Sequence, residues 1–228
     1  MKRNFIILLL ALLTTTVQAQ EDVEYRWEIG AGAGLTTYEG DFNTSIAKEM
    51  QPNVSLLLRR VLNPRMAIRL SGSLGKIKGS STNVETYYPA YQVEPYEFNH
   101  TLTDITLAYE YNFWPYGTGK EYRGAKRVSP FILGGLGMTA TSGGEKNVFT
   151  MNVPIGAGVK FRASARLNIG IEWIMHFSLS DKLDGVADPY GIKSSGIFKN
   201  TDSYSALQLT ATYSFSPKCR TCHNANER

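Results

Sequence analysis

The chain has 228 residues, 43% of them hydrophobic and 19% charged, with a mean hydropathy of −0.21 and a formal net charge of +4. These values exclude a polytopic helical membrane protein, which needs repeated apolar runs of about 20 residues. With 11% aromatic residues and 21 glycines in no fixed phase, they also exclude a disordered or collagen-like chain.

At the start, Lys2 and Arg3 precede an apolar run from Phe5 to Leu13, and Val17-Gln18-Ala19 follows. A basic start, a short apolar core and small residues at −3 and −1 predict a secretory signal peptide over residues 1–19. Its removal takes the net charge from +4 to +2, so the pI near 9.0 carries little signal for a nucleic-acid partner and none is expected. No Cys follows the expected cleavage point, which argues against a lipoprotein anchor.

From there the chain reads with period two, the mark of strands with two different faces. Trp27, Ile29, Ala31, Ala33 and Leu35 alternate with Arg26, Glu28 and glycines. Met66, Ile68, Leu70 and Leu74 alternate with Arg65, Ala67, Arg69, Ser71 and Ser73. The pattern returns at 104–113, 151–162, 166–175 and 207–215, and two less regular segments near 52–62 and 129–141 bring the set to eight. Most of these segments run ten to fifteen residues, longer than the usual strand of soluble sheets. About 9–11 tilted residues cross a bilayer.

The connections alternate in length. Asn63-Pro64 and Ala163-Ser164 are tight turns, whereas 36–51, 76–97, 142–149 and 178–202 are mostly long and polar. Short and long connections then fall on opposite rims. The expected fold is all-β: a closed antiparallel eight-stranded transmembrane β-barrel of the outer-membrane type over residues 20–215, with a periplasmic tail at 216–228. A soluble sandwich or lipocalin-like barrel would put the apolar face inside; strand length and loop asymmetry favour the membrane barrel. The Tyr213-Ser214-Phe215 finish resembles the terminal strand that barrel-assembly machinery recognises. Both chain ends and the basic 114–128 connection are expected on the periplasmic side.

On the polar face, Arg26, Glu28, Arg69, Glu110, Lys160 and Glu172 are expected to form ion pairs, with Arg59 and Arg162 beside them. An eight-stranded barrel is just wide enough to fill with side chains, and charges buried there must pair. No wide pore is expected. His100 with Asp104, and His176 with Asp181, are the residue types of half a hydrolase site, but no nucleophile motif accompanies them, so no catalytic residue and no enzyme activity are expected. Asp181, Asp184 and Asp188 lack the spacing of a dedicated calcium loop, so no metal is expected.

The sharpest motif is Cys219-Arg220-Thr221-Cys222-His223. It matches the attachment signature for c-type haem. With five residues left and no helical domain to enclose a macrocycle, no cofactor is expected. A local disulfide and an intermolecular disulfide with a periplasmic partner both remain open.

Three stretches resemble a particular family. They are Tyr38-Glu39-Gly40-Asp41-Phe42, the run from Tyr109 through Asn112-Phe113-Trp114-Pro115-Tyr116-Gly117-Thr118-Gly119 to Arg127, and the Lys218-Cys219-Arg220-Thr221-Cys222 tail. Together they resemble the PorG-like outer-membrane barrel component of the Bacteroidota type IX secretion system. The resemblance implies a structural subunit that touches a periplasmic ring built from a lipoprotein and a soluble partner. It also implies that Trp114, Tyr116, Tyr122, Arg123, Lys126 and Arg127 face that partner, with Cys219 and Cys222 able to lock the contact; for Trp114 and Tyr116 a membrane-interface aromatic girdle is the alternative. Outer-membrane lipid is the other expected partner; the competing expectation is a stand-alone barrel that binds ligands or surfaces through its long loops.

Overall fold

A computed structural model describes residues 25–40, 43, 48–81, 96–116, 126–143, 147–180, 183 and 202–217. They form eight strands: β1 (Tyr25–Glu39), β2 (Gln51–Asn63), β3 (Met66–Ser80), β4 (Glu97–Asn112), β5 (Val128–Ser142), β6 (Val148–Arg162), β7 (Leu167–Ser178) and β8 (Ser203–Pro217). Each pairs antiparallel with its sequence neighbours. Strand β1 also pairs with β8, with Trp27 opposite Phe215 and Glu39 opposite Ser203, so the sheet closes into a barrel. Closure removes the edge strands that would otherwise present unpaired backbone groups. The expected signal peptide and the Cys219–Cys222 motif lie outside the described residues.

The alternation in sequence becomes an inside and an outside. In β4 the side chains of Asp104, Thr106, Ala108, Glu110 and Asn112 are buried, while Ile105 and Leu107 between them are exposed. The same holds around the wall: Leu56, Leu136 and Leu209 are more than 60% exposed. Polar residues fill the interior and large apolar ones cover the exterior, the polarity of an outer-membrane barrel fold. A stretch of 15 residues extends about 50 Å, and a tilt near 40° brings this to roughly 35–40 Å, enough to cross a hydrocarbon core with some margin.

Small residues let the strands close this tightly. A Cβ at Gly34 would lie 2.0 Å from the carbonyl oxygen of Leu207, and one at Gly135 would lie 2.1 Å from that of Leu107. Both are contacts with neighbouring backbone that no rotamer can relieve.

The start of β1, the end of β8, the Pro64-Arg65 turn, residues 163–166, the end of β4 and the start of β5 share one rim, here termed the terminal rim. The longer connections share the opposite one, the loop rim. Two details depart from the sequence reading. Several strands run further toward the loop rim than expected, β1 to Glu39 and β3 to Ser80. The interior is also not wholly polar, since Phe131, Leu133 and Ile174 pack inward against Ala108.

Candidate functional site

The interior holds two charge networks stacked along the barrel. Near the terminal rim, Arg59 of β2 bonds the carboxylate of Glu28 on β1 and lies 3.2 Å from that of Glu110 on β4. Lys160 of β6 bonds the other oxygen of Glu110 and donates to Asn112 Oδ1 at 3.0 Å. Beside this cluster, Arg69 of β3 and Glu172 of β7 form a two-pronged pair, Nη1 and Nη2 donating to the two carboxylate oxygens at 2.6 and 2.7 Å. Charge-assisted bonds of this forked geometry are among the strongest in proteins.

Toward the loop rim, Asp104 has no Lys or Arg within bonding distance among the described residues. Its Oδ1 accepts from Thr106 at 2.7 Å, and its Oδ2 accepts from Asn152, Tyr204 and Thr139 at 2.6–3.0 Å. His176 stacks on Tyr204 with ring centroids 4.5 Å apart, and its Nδ1 lies 3.9 Å from Asp104. A ring of neutral donors thus does for Asp104 what arginine does for the glutamates. Above it, Tyr38, Ile77, Phe98, Leu102, Leu183 and Tyr204 form an apolar cluster. Asp202 fastens that end by accepting from the Tyr38 hydroxyl and, at 2.7 Å, from the backbone N–H of Leu183. His100 Nδ1 sits 3.0 Å from the Leu183 carbonyl oxygen.

Among the residues expected to pair in the interior, Glu28, Glu110, Lys160, Arg69 and Glu172 are buried and meet as described. Arg26 does not join them. It is exposed at the mouth, two residues into β1 and opposite the irregular end of β8, where Ser216 has φ 61°. At that level water solvates the guanidinium, and entering the lumen would gain it nothing. Arg59 proves to be the hub, held by carboxylates from two strands. The pairing of His100 with Asp104 does not form: Asp104 faces His176, and Asp181, Asp184 and Asp188 lie outside the described residues. No group of three or more metal-ligating side chains occurs among the described residues.

At the terminal rim, the residues expected to face a partner divide. Trp114 is 50% exposed, and Lys126 and Arg127 are exposed beside it. Ser129 holds the Trp114 backbone, accepting from its N–H and donating to its carbonyl. Tyr122 and Arg123 lie outside the described residues. Tyr116 is a correction: it is 3% exposed and enters the barrel end, where its hydroxyl donates to Asn168 at 2.7 Å and Lys160 lies over its ring. Its backbone N–H bonds the Pro64 carbonyl, which turns the ring inward. Burial, then the carboxylate of Glu28, raise its phenol above the ordinary tyrosine range. Tyr116 is therefore a stopper in the mouth rather than a partner-facing anchor. Sequence reasoning missed this because nothing in the motif tells an inward tyrosine from an outward one.

A family model described as Domain of unknown function (DUF6089) matches residues 2–224. No curated protein matches the chain. Among solved structures, the chain is similar to Ail, the attachment invasion locus protein of Yersinia pestis, at 12% identity and a TM-score of 0.46, over 84% of this chain and 99% of that one. It is also similar to Neisserial surface protein A (12%, TM-score 0.48, 83% and 97%). A third is the outer membrane protein OprG from Pseudomonas aeruginosa (8%, TM-score 0.47, 87% and 99%).

Proposed function

The chain belongs to the DUF6089 family, and we propose that it is an integral outer-membrane, non-enzymatic structural subunit of type IX protein secretion machinery. In this role the barrel is an anchor. Its apolar wall sits in the hydrocarbon core, and its ion-paired interior leaves no conduit for cargo. Its terminal rim faces the periplasm and meets a ring built from a lipoprotein and a soluble partner.

The observation that carries this reading is the rim itself. An exposed tryptophan with a fixed backbone stands beside Lys126 and Arg127, next to the β4–β5 connection that resembles the secretion component. Trp and Arg are the anchor types that dominate protein interfaces. Tyr122, Arg123 and a Cys219 or Cys222 disulfide extend the same contact in this proposal.

The test is complementation of a deletion strain with a Trp114→Ala, Lys126→Glu, Arg127→Glu triple variant. Folded barrel in the outer membrane and protein secreted into the medium are both measured. Loss of one good anchor weakens an interface by about 2 kcal/mol, roughly thirtyfold in affinity, and secretion is expected to fall accordingly at unchanged barrel level. Normal secretion by the triple variant, with loss of a surface-binding phenotype on deleting residues 82–95, favours the stand-alone barrel instead.

A further inference from the structure

Exposed charge is divided unevenly between the rims. At the loop rim both signs occur: Lys48, Lys76 and Lys78 accompany Glu49 and Glu97, and Lys78 pairs with Glu49 at 3.2 Å. At the terminal rim, every exposed charge among the described residues is positive, because Glu28 and Glu110 are buried in the interior. The chain flanking this rim in sequence leaves the excess untouched. Glu21, Asp22, Glu24, Glu121 and Glu227 balance Lys120, Arg123, Lys218, Arg220 and Arg228.

Half of the rim has a particular construction. Arg60, facing outward on β2, lies over the ring of Trp27, its ladder partner on β1, at 5.7 Å. Arg166, just before β7, donates Nε to the Tyr25 hydroxyl and Nη1 to the Tyr213 hydroxyl, each at 3.2 Å. Arg65, in the β2–β3 turn, donates to the Phe113 carbonyl at 2.7 Å. No carboxylate pairs with these three among the described residues. Each stands where the apolar wall ends, beside exposed Leu62, Leu167 and Phe215. The arc runs from the β7 end through β8, β1 and β2 to the β3 end, where the bond of Arg65 to the Phe113 carbonyl brings it up to Trp114.

We propose that Arg60, Arg65 and Arg166, set by Trp27, Tyr25 and Tyr213, form a half-collar that binds the phosphates of anionic glycerophospholipids. The inference rests on the membrane-spanning reading above and adds a lipid headgroup site to it. The chemistry is specific. A guanidinium has five N–H donors in a planar fork that matches a phosphate, and the two phenols occupy only two of those on Arg166. Aromatic rings at this level prefer the headgroup region, so the outward rings of Trp27 and Tyr213 hold the cations at phosphate depth, while the buried Tyr25 braces Arg166 through its hydroxyl. An arc continuous with the lipid-facing wall meets lipid before it meets a protein.

The purified barrel is refolded into vesicles of phosphatidylcholine alone or mixed equally with phosphatidylglycerol. Insertion is read from heat-dependent electrophoretic mobility, and retained lipid by native mass spectrometry after mild detergent extraction. The wild type is expected to insert in both and to retain phosphatidylglycerol over phosphatidylcholine by about tenfold, less at high salt, in line with the attraction of a few basic residues to anionic lipid. The Arg60→Gln, Arg65→Gln, Arg166→Gln variant is expected to insert but lose the preference. Arg-to-Lys versions are expected to keep part of it, and Lys126→Gln with Arg127→Gln all of it. Equal retention of both lipids by the wild type, or an unchanged preference in the Gln variant, overturns the half-collar and leaves the membrane reading standing. Failure of the wild type to insert in either vesicle overturns both.

Discussion

Arg69 on β3 and Glu172 on β7 join across the lumen through two hydrogen bonds of 2.6 and 2.7 Å. In a ring of eight strands, β3 and β7 stand four places apart, on opposite walls. The bond therefore spans the interior at its level. Lys160 on β6 and Arg59 on β2, again opposite, share Glu110 and span it a second time.

This geometry makes single and paired substitutions differ. Removing one partner strands a buried charge and is expected to cost about 3–5 kcal/mol, whereas removing both is nearly neutral. Arg69→Leu and Glu172→Leu are each expected to lower the denaturant midpoint of the vesicle-inserted barrel. The double variant is expected to recover most of the loss. Additive losses would mean the two side chains do not act as a pair.

The outer wall offers a second test. Leu56 is 71% exposed, so in a water-soluble protein Leu56→Arg would change little. In a lipid-facing wall the same substitution is expected to destabilise the inserted barrel by about 2–4 kcal/mol. Denaturant titration in vesicles measures it, and an effect near zero contradicts a lipid-facing wall.

Close approach of backbones makes a third. At Gly135 even a Cβ meets the Leu107 carbonyl, and Gly135→Val is expected to leave the barrel unfolded on heat-modifiability gels. Replacing outward-facing Ile132 by Val is expected to fold normally.

Alkali tests the stopper in the mouth. The phenol of Tyr116 titrates above its ordinary value because burial and Glu28 oppose the phenolate. A folded-state pKa raised in this way contributes stability below the unfolded value of about 10, and that contribution is lost as pH rises above it. Stability is expected to fall above about pH 10 more steeply in the wild type than in Tyr116→Phe. Parallel curves would place the tyrosine outside the barrel end.

Much of this molecule is legible in its sequence, and the reason is geometric. Period two assigns each residue to a face, so β4 and β8 can be read off directly, and strands of this length with alternating connections leave few architectures open. What pairs with what across the lumen is another matter. Arg69 and Glu172 are 103 residues apart, and only closure of the ring sets them opposite. Alternation also fails at the mouths, where Arg26 and Tyr116 take positions set by local turns and by access to water. It fails again where apolar Phe131, Leu133 and Ile174 fill space between charged layers. His176 and Asp104 meet through the register of β4 to β7, which no spacing along the chain encodes.

The most direct test of the proposed role is photo-cross-linking in living cells, with a benzophenone amino acid placed at position 114 on the terminal rim or at position 56 on the wall. Position 114 is expected to capture a periplasmic ring protein of the secretion machinery, and position 56 only lipid. If position 114 also captures only lipid, in cells whose secretion is normal, the rim is an aromatic membrane girdle and the structural-subunit account is contradicted.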